Sequence, residues 1–181
     1  MRAWRRPRGA GLLVAAALLA TACVTPSPPA PRVELTGGPA PTRFGATGAQ
    51  VLGHPSVAPQ LPALFGPDWA GAPGAPLAPT RPARDFFGRV TAPRGLRVAD
   101  REYVAVLGCV PGACRSQRGV LLVAADGGSE LRARLEEGVR HDYAFGPAFG
   151  PGARMDEAER RALDAAWRAL ERDAAAWPRD P

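Results

Sequence analysis

Lysine is missing altogether from these 181 residues, histidine occurs only twice and cysteine only three times. The missing lysine points to a GC-rich genome and carries no chemical message. With His54 and His141 as the only imidazoles, a tetrahedral Cys/His metal centre lacks ligands, so no metal and no cofactor is expected. No apolar run is long enough for a transmembrane helix. Gly11–Ala20 is about ten residues, too short for the roughly 30 Å hydrocarbon core. Gly-x-Ser-x-Gly, phosphate-loop and dinucleotide fingerprints are all absent, which removes the commonest sequence signatures of an enzyme. Beyond residue 8 there is no basic run, so the chain has no electrostatic footprint for nucleic acid.

The formal charge of +6 comes mostly from the first eight residues. Without Arg2, Arg5, Arg6 and Arg8, 19 Arg face 17 acidic residues, leaving +2. Those arginines form the positive n-region of an export signal, and Gly11–Ala20 forms its apolar h-region. Ala20-Thr21-Ala22-Cys23 follows, with small residues before the cut and a cysteine after it, which is the lipobox pattern of bacterial lipoproteins. An ordinary leader cleaved near Ala22 is the competing reading. Residues 1–22 are thus expected to be a lipoprotein signal peptide, with Cys23 carrying the lipid. The mature protein would be membrane-anchored, facing the periplasm, with the bilayer as a partner through Cys23.

Fourteen of the 21 prolines lie between Val24 and Pro82. Their density predicts a Pro/Gly-rich tether over 23–82 without strands or helices, although Leu64, Phe65 and Trp69 suggest that part of it docks on the domain. From Ala83 the pattern changes. Asp85–Val90 reads as a helical turn or an entering strand. Leu96–Ala99 and Glu102–Leu107 read as strands, the latter apolar on both faces and therefore central. Gly119–Ala125 is a further apolar run. After the Asp126-Gly127-Gly128 turn, Leu131, Ala133 and Leu135 alternate with Arg132, Arg134 and Glu136, a strand with one wet face. Val139–Phe145 completes the sheet. Asp156 and Glu159 form a capping signature for a helix whose apolar face runs through Leu163, Ala166, Trp167, Leu170, Ala174 and Trp177, ended by Pro178. The expected fold is α+β: an antiparallel sheet of about four to five strands, covered by this C-terminal amphipathic helix, over 83–177, with a tail at 178–181.

The most informative segment joins two apolar strands: Cys109-Val110-Pro111-Gly112-Ala113-Cys114, then Arg115-Ser116-Gln117-Arg118. Pro111-Gly112 fits the central positions of a type II turn, Pro fixing φ near −65° and Gly accepting a positive φ. Such a turn brings Cys109 and Cys114 together, and an oxidising compartment favours a six-residue disulfide ring at an exposed tip. The ring would add only about 2 kcal/mol of global stability but would hold the loop in one shape for binding. A purely structural staple is the plain alternative. A redox centre does not fit the spacing, which is not Cys-x-x-Cys.

At this loop the chain resembles the inhibitors of vertebrate lysozyme, the Ivy family, whose signature is Cys-Lys-Pro-His-Asp/Asn-Cys followed by Gly-Ser-Gln-Arg. The matching residues are Cys109, Pro111, Cys114, Ser116, Gln117 and Arg118. Tyr103, the flanking strands and the terminal helix occur in compatible order, so the resemblance spans 83–177. It implies an exported binder with an antiparallel sheet under helical cover and a tendency to homodimerise. It also implies a disulfide-closed inhibitory loop (109–114) that plugs the active-site cleft of a C-type lysozyme, its His on the catalytic carboxylates. Here Gly112 replaces that His, Val110 the Lys and Ala113 the Asp or Asn. The main-chain N–H groups of Gly112 and Ala113 remain as donors. A different muramidase, such as a lytic transglycosylase, is an alternative target, and a structural envelope lipoprotein that lost inhibition is the alternative role. The carboxylates Asp126, Glu136, Glu137 and Asp142 read as solvated structural charge and His54 and His141 as surface residues, so no enzyme is expected.

Overall fold

The segment expected to be a tether supplies a strand and two helices. This is seen in a computed structural model that describes residues 29, 31–39, 42–71, 78–147, 149, 155–173 and 177–180. The expected signal peptide, Cys23 and Ala174 lie outside the described residues. In chain order the elements are β1 (Val33–Pro39), α1 (Gly48–Leu52), α2 (Leu61–Phe65), β2 (Arg89–Val90), β3 (Arg94–Val98), β4 (Arg101–Cys109), β5 (Arg118–Ala124), β6 (Leu131–Glu136), β7 (Arg140–Phe145) and α3 (Glu157–Glu171). Three 3₁₀ turns, Ala58–Gln60, Gly66–Trp69 and Ala83–Phe87, fill the connections.

All seven strands join one antiparallel sheet in the order β1-β3-β4-β5-β6-β7, with β2 added to β4. From β2 onward the connections between successive strands are short, which leaves antiparallel pairing as the only economical topology there. The α+β class is as expected, but the strand count is higher: β1 lies in the segment expected to hold no strand, and Asp85–Val90, expected as a helical turn or an entering strand, supplies the end of the 3₁₀ turn Ala83–Phe87 and then β2.

Period-2 alternation sorts the apolar residues of the central strands into two cores. Val104, Val106, Leu121, Val123, Leu131, Ala133 and Leu135 face one side, where Phe44, Val51, Val57, Leu61, Leu64 and Phe65 cover them. Tyr103, Ala105, Leu107, Val120 and Leu122 face the other side, against Leu163, Ala166, Trp167 and Leu170 of α3. The molecule is therefore three layers, and the described domain begins near residue 33 rather than 83. A strand apolar on both faces needs two covers, and α3 supplies only one of them.

The N-terminal cover is built from short helices that start on prolines. Pro lies in the first turn of Ala58–Gln60, of α2 and of Gly66–Trp69, where its fixed φ suits the helix and its missing N–H has no intrahelical partner to lose. α1 begins with a capping box in which Thr47 accepts the Gln50 N–H and the Gln50 side chain accepts the Thr47 N–H. Tyr143 on β7 donates to Asp68 at 2.9 Å and its ring sits edge-on to Phe65, which fixes this layer to the sheet edge.

The face of β6 expected to be wet is covered too. Arg134 is 3% exposed. Its guanidinium donates to both oxygens of Asp142, at 2.7 and 2.9 Å, and to Asp164 on α3. Glu130, also buried, accepts from Tyr103, Arg132 and Arg101. These pairings let a charged strand face lie under a helix, because a buried charge is tolerated when its hydrogen bonds are made.

α3 opens as expected, with the Asp156–Glu159 capping box closed in both directions at 2.8 and 3.0 Å. It ends earlier than expected, at Glu171. Trp177 belongs to a returning tail rather than to the helix. Its indole donates to the Leu170 carbonyl at 3.2 Å and packs edge-on against Trp167 at 4.9 Å. Among the described residues no helix is long and apolar enough to cross a membrane.

Candidate functional site

β4 and β5 end together at Cys109 opposite Arg118, and the ladder runs one step further through Val110 N–H to Gln117 C=O at 3.0 Å. The chain then reverses. Ala113 N–H donates to Val110 C=O at 2.9 Å, and Gly112 has φ +82°, which is the expected type II turn at Pro111-Gly112. Ser116 and Gln117 N–H both return to Ala113 C=O, at 3.0 and 2.8 Å. Cys109 and Cys114 are joined as a disulfide, with Cα atoms 4.9 Å apart. Their spacing is inside the range natural disulfides occupy.

The ring is set into the sheet end rather than standing free of it. Cys109 and Cys114 are 0% and 6% exposed, and Val110, at 4%, belongs to the core beneath the N-terminal layer. Ala113 is half-buried, while Pro111, Gly112, Arg115 and Ser116 are exposed. Of the six residues expected to form a binding loop, only Pro111 and Gly112 are thus fully presented. Gly108 explains how closely the ring is held: a Cβ there would sit 2.5 Å from the Phe86 carbonyl oxygen, so only glycine lets the 3₁₀ turn Ala83–Phe87 lie against the strand.

The three residues after the ring have separate tasks. Ser116 Oγ lies 3.4 Å from Ala113 O, and the Gln117 carbonyl closes the ladder. Arg118 turns inward. Its guanidinium lies 5.2 Å from the Trp167 ring and 4.8 Å from the Trp177 ring, and it donates to Glu171 at 2.9 Å. One arginine thereby ties β5, α3 and the tail together beside the ring, its guanidinium set against the edge-on Trp167–Trp177 pair.

The tail brings to the site a residue that no sequence pattern singles out. Asp180 accepts the Gly112 N–H at 2.8 Å on one carboxylate oxygen and the Cys114 N–H at 3.0 Å on the other. Ala113 N–H, expected to be a free donor, is engaged within the turn; Cys114 takes that place. Arg89 on β2 holds the carbonyl of Arg179 at 2.9 Å, and Pro178 is buried. Between ring and tail lies a cleft of about 800 Å³ lined by Arg115, Arg118, Glu171, Trp177 and Arg179 among others. Sequence could reveal Trp177 as an apolar anchor, but the partners of Asp180 are main-chain groups that no residue type announces.

The other singled-out residues have structural partners. Asp142 is bidentate on Arg134, Asp126 accepts from Ser129 at 2.9 Å, and Glu136 lies 3.6 Å from Arg118. Glu137 is not a solvated charge. Its side chain is 6% exposed, accepts the Thr80 N–H and hydroxyl at 2.7 and 2.5 Å, and lies 3.4 Å from His141 Nε2. Nor are the histidines simple surface residues. The His141 side chain is 9% exposed. His54 is half-buried, accepts the Ser56 N–H on Nδ1 at 3.2 Å and meets Phe44 edge-on. Among the described residues no cluster of three His, Cys, Asp or Glu is placed to hold a metal ion.

No protein-family model matches this chain, and neither a curated protein nor a solved structure shows significant similarity to it.

Proposed function

We propose that the chain is an exported lipoprotein, anchored through a lipid on Cys23 and facing the periplasm, whose Ivy-like domain binds a lysozyme-type muramidase through the disulfide turn and inhibits it. The target is a C-type lysozyme or a lytic transglycosylase, enzymes that process the same wall. The observation that carries this reading is the exposed Pro111-Gly112 tip, closed by Cys109–Cys114 and followed by Ser116-Gln117-Arg118. A tip already fixed by a disulfide and a set-in base loses little entropy when it enters a groove. With Gly112 in place of the family His, the contact to a catalytic carboxylate falls to main-chain N–H groups.

The test is inhibition of both enzyme classes by residues 24–181, beside a Cys109→Ala/Cys114→Ala double variant, since covered sulfurs resist direct reduction. Inhibition by the disulfide form, weakened at least severalfold in the variant, is expected. No binding to either class removes the proposal.

A second reading, a structural envelope lipoprotein that kept the fold, is favoured by one observation: Asp180 already takes the two outward donors of the turn. Gly112→His separates the two. Gain of lysozyme inhibition marks a working scaffold with an altered tip, and no gain favours the structural role.

A further inference from the structure

Resting on the disulfide turn as the contact surface, we infer that the turn is a carboxylate receptor whose built-in occupant is Asp180, to be displaced by an acidic side chain of a protein partner. Gly112 and Cys114 present N–H groups that converge on one carboxylate, each oxygen taking one hydrogen bond at 2.8 and 3.0 Å. Successive N–H groups aimed outward around a residue of positive φ form an anion-binding concavity. Here that residue is Gly112, at +82°. The N–H between them, on Ala113, is bound to Val110 C=O. The turn therefore offers two donors, the number a carboxylate's two oxygens need.

The surroundings favour an anion once the tail residue leaves. The adjoining cleft is lined by Arg115, Arg118 and Arg179 against Glu171 and Asp180, so without Asp180 the charged residues lining it are three arginines and one glutamate, Arg118 and Glu171 being paired with each other. The occupant also lies at the exposed end of the described tail. Trp177 and Pro178 are buried, whereas Arg179 and Asp180 are exposed and held by the bonds to Arg89, Gly112 and Cys114. Lifting Asp180 leaves the Trp167–Trp177 contact intact. A tethered group competes at an effective concentration on the order of millimolar. Asp180 thus raises the affinity an outside carboxylate must reach, and it screens out single weak anions.

Amide resonances of Gly112 and Cys114 in residues 24–181 report occupancy directly. Wild type, Asp180→Ala and Asp180→Asn are titrated with sodium acetate against sodium chloride at equal ionic strength, with the Trp177 indole N–H resonance, bonded to the Leu170 carbonyl, confirming that the tail stays docked. In Asp180→Ala both amides shift on removal of the carboxylate and move back towards wild-type positions with acetate, but not with chloride; wild type does not respond. In parallel, Asp180→Ala inhibits the target muramidase about tenfold more strongly, the equivalent of about 1.4 kcal/mol. Acetate-responsive amides without inhibition of any muramidase sink the proposed target and leave the receptor standing. Amides of Asp180→Ala that ignore acetate overturn the receptor, whether or not an enzyme is inhibited.

Discussion

Gly112 lies in the left-handed region at +82°, with nothing within 4 Å of a Cβ placed there. Substitution at this site therefore strains the backbone without a clash. Gly112→Ala is predicted to destabilise by about 1 kcal/mol in urea denaturation, and Gly112→His carries the same strain together with its new imidazole. Arg118 acts differently, since both tryptophans and Glu171 depend on its planar head. Arg118→Lys, a change that keeps the charge, is predicted to lose about 1–2 kcal/mol and to shift tryptophan emission, because a compact ammonium cannot lie against both rings and bond Glu171 at once. Asp164 is set by competing effects. Its partial burial opposes ionisation, but the hydrogen bond and charge of Arg134, aided by Arg168 and Arg140, hold its carboxyl below the usual range. A carboxylate with a lowered folded pKa adds stability above its unfolded pKa of about 3.9, and that contribution disappears as pH falls through the lower folded value. Acid titration followed by circular dichroism should show Asp164→Asn less stable at neutral pH, with the difference from wild type closing below about pH 4.

At the scale of elements, the N-terminal layer is the sharpest departure from what the sequence suggests. Phe65 is 2% exposed and stacks on Trp69 while touching Phe87 and Tyr143. Phe65→Ala is predicted to cost about 3–5 kcal/mol, the range for removing a buried aromatic. A true tether would register almost nothing in the same thermal or chemical melt. Proline density hid this layer because prolines that begin successive short helical turns look, in composition, like those of an extended linker. The clue is in β4: apolar residues on both faces of Glu102–Leu107 require two covers, and the terminal helix is only one. By contrast, the β4–β5 hairpin, the Asp126-Gly127-Gly128 turn and the Asp156 cap were legible. Each depends on local alternation, turn chemistry or capping that a few neighbouring residues determine. The helix end was not legible. Positions 167 and 177 fall on one face at helical spacing, but a continued helix would hold them about 15 Å apart along its axis; the tail doubles back to bring the rings within 4.9 Å, which spacing alone does not announce.

Across the whole molecule, the seven-stranded sheet is a spine between two unlike covers, and the disulfide turn sits where both meet its end. Val110 reaches into the N-terminal core, while Arg118 and Asp180 connect the same turn to α3 and the tail. The turn itself was legible because Cys, Pro and Gly each imply a conformation. Its depth and its internal carboxylate were not, because they arise from tertiary packing and main-chain donors. The central claim is that this turn is where a muramidase makes contact. Hydrogen exchange of residues 24–181, alone and with a C-type lysozyme or a lytic transglycosylase, tests it most directly. The account predicts slowed exchange confined to Gly112–Arg118 with at least one of these enzymes. Unchanged exchange there with both, or protection only on a distant face of the sheet, would contradict it.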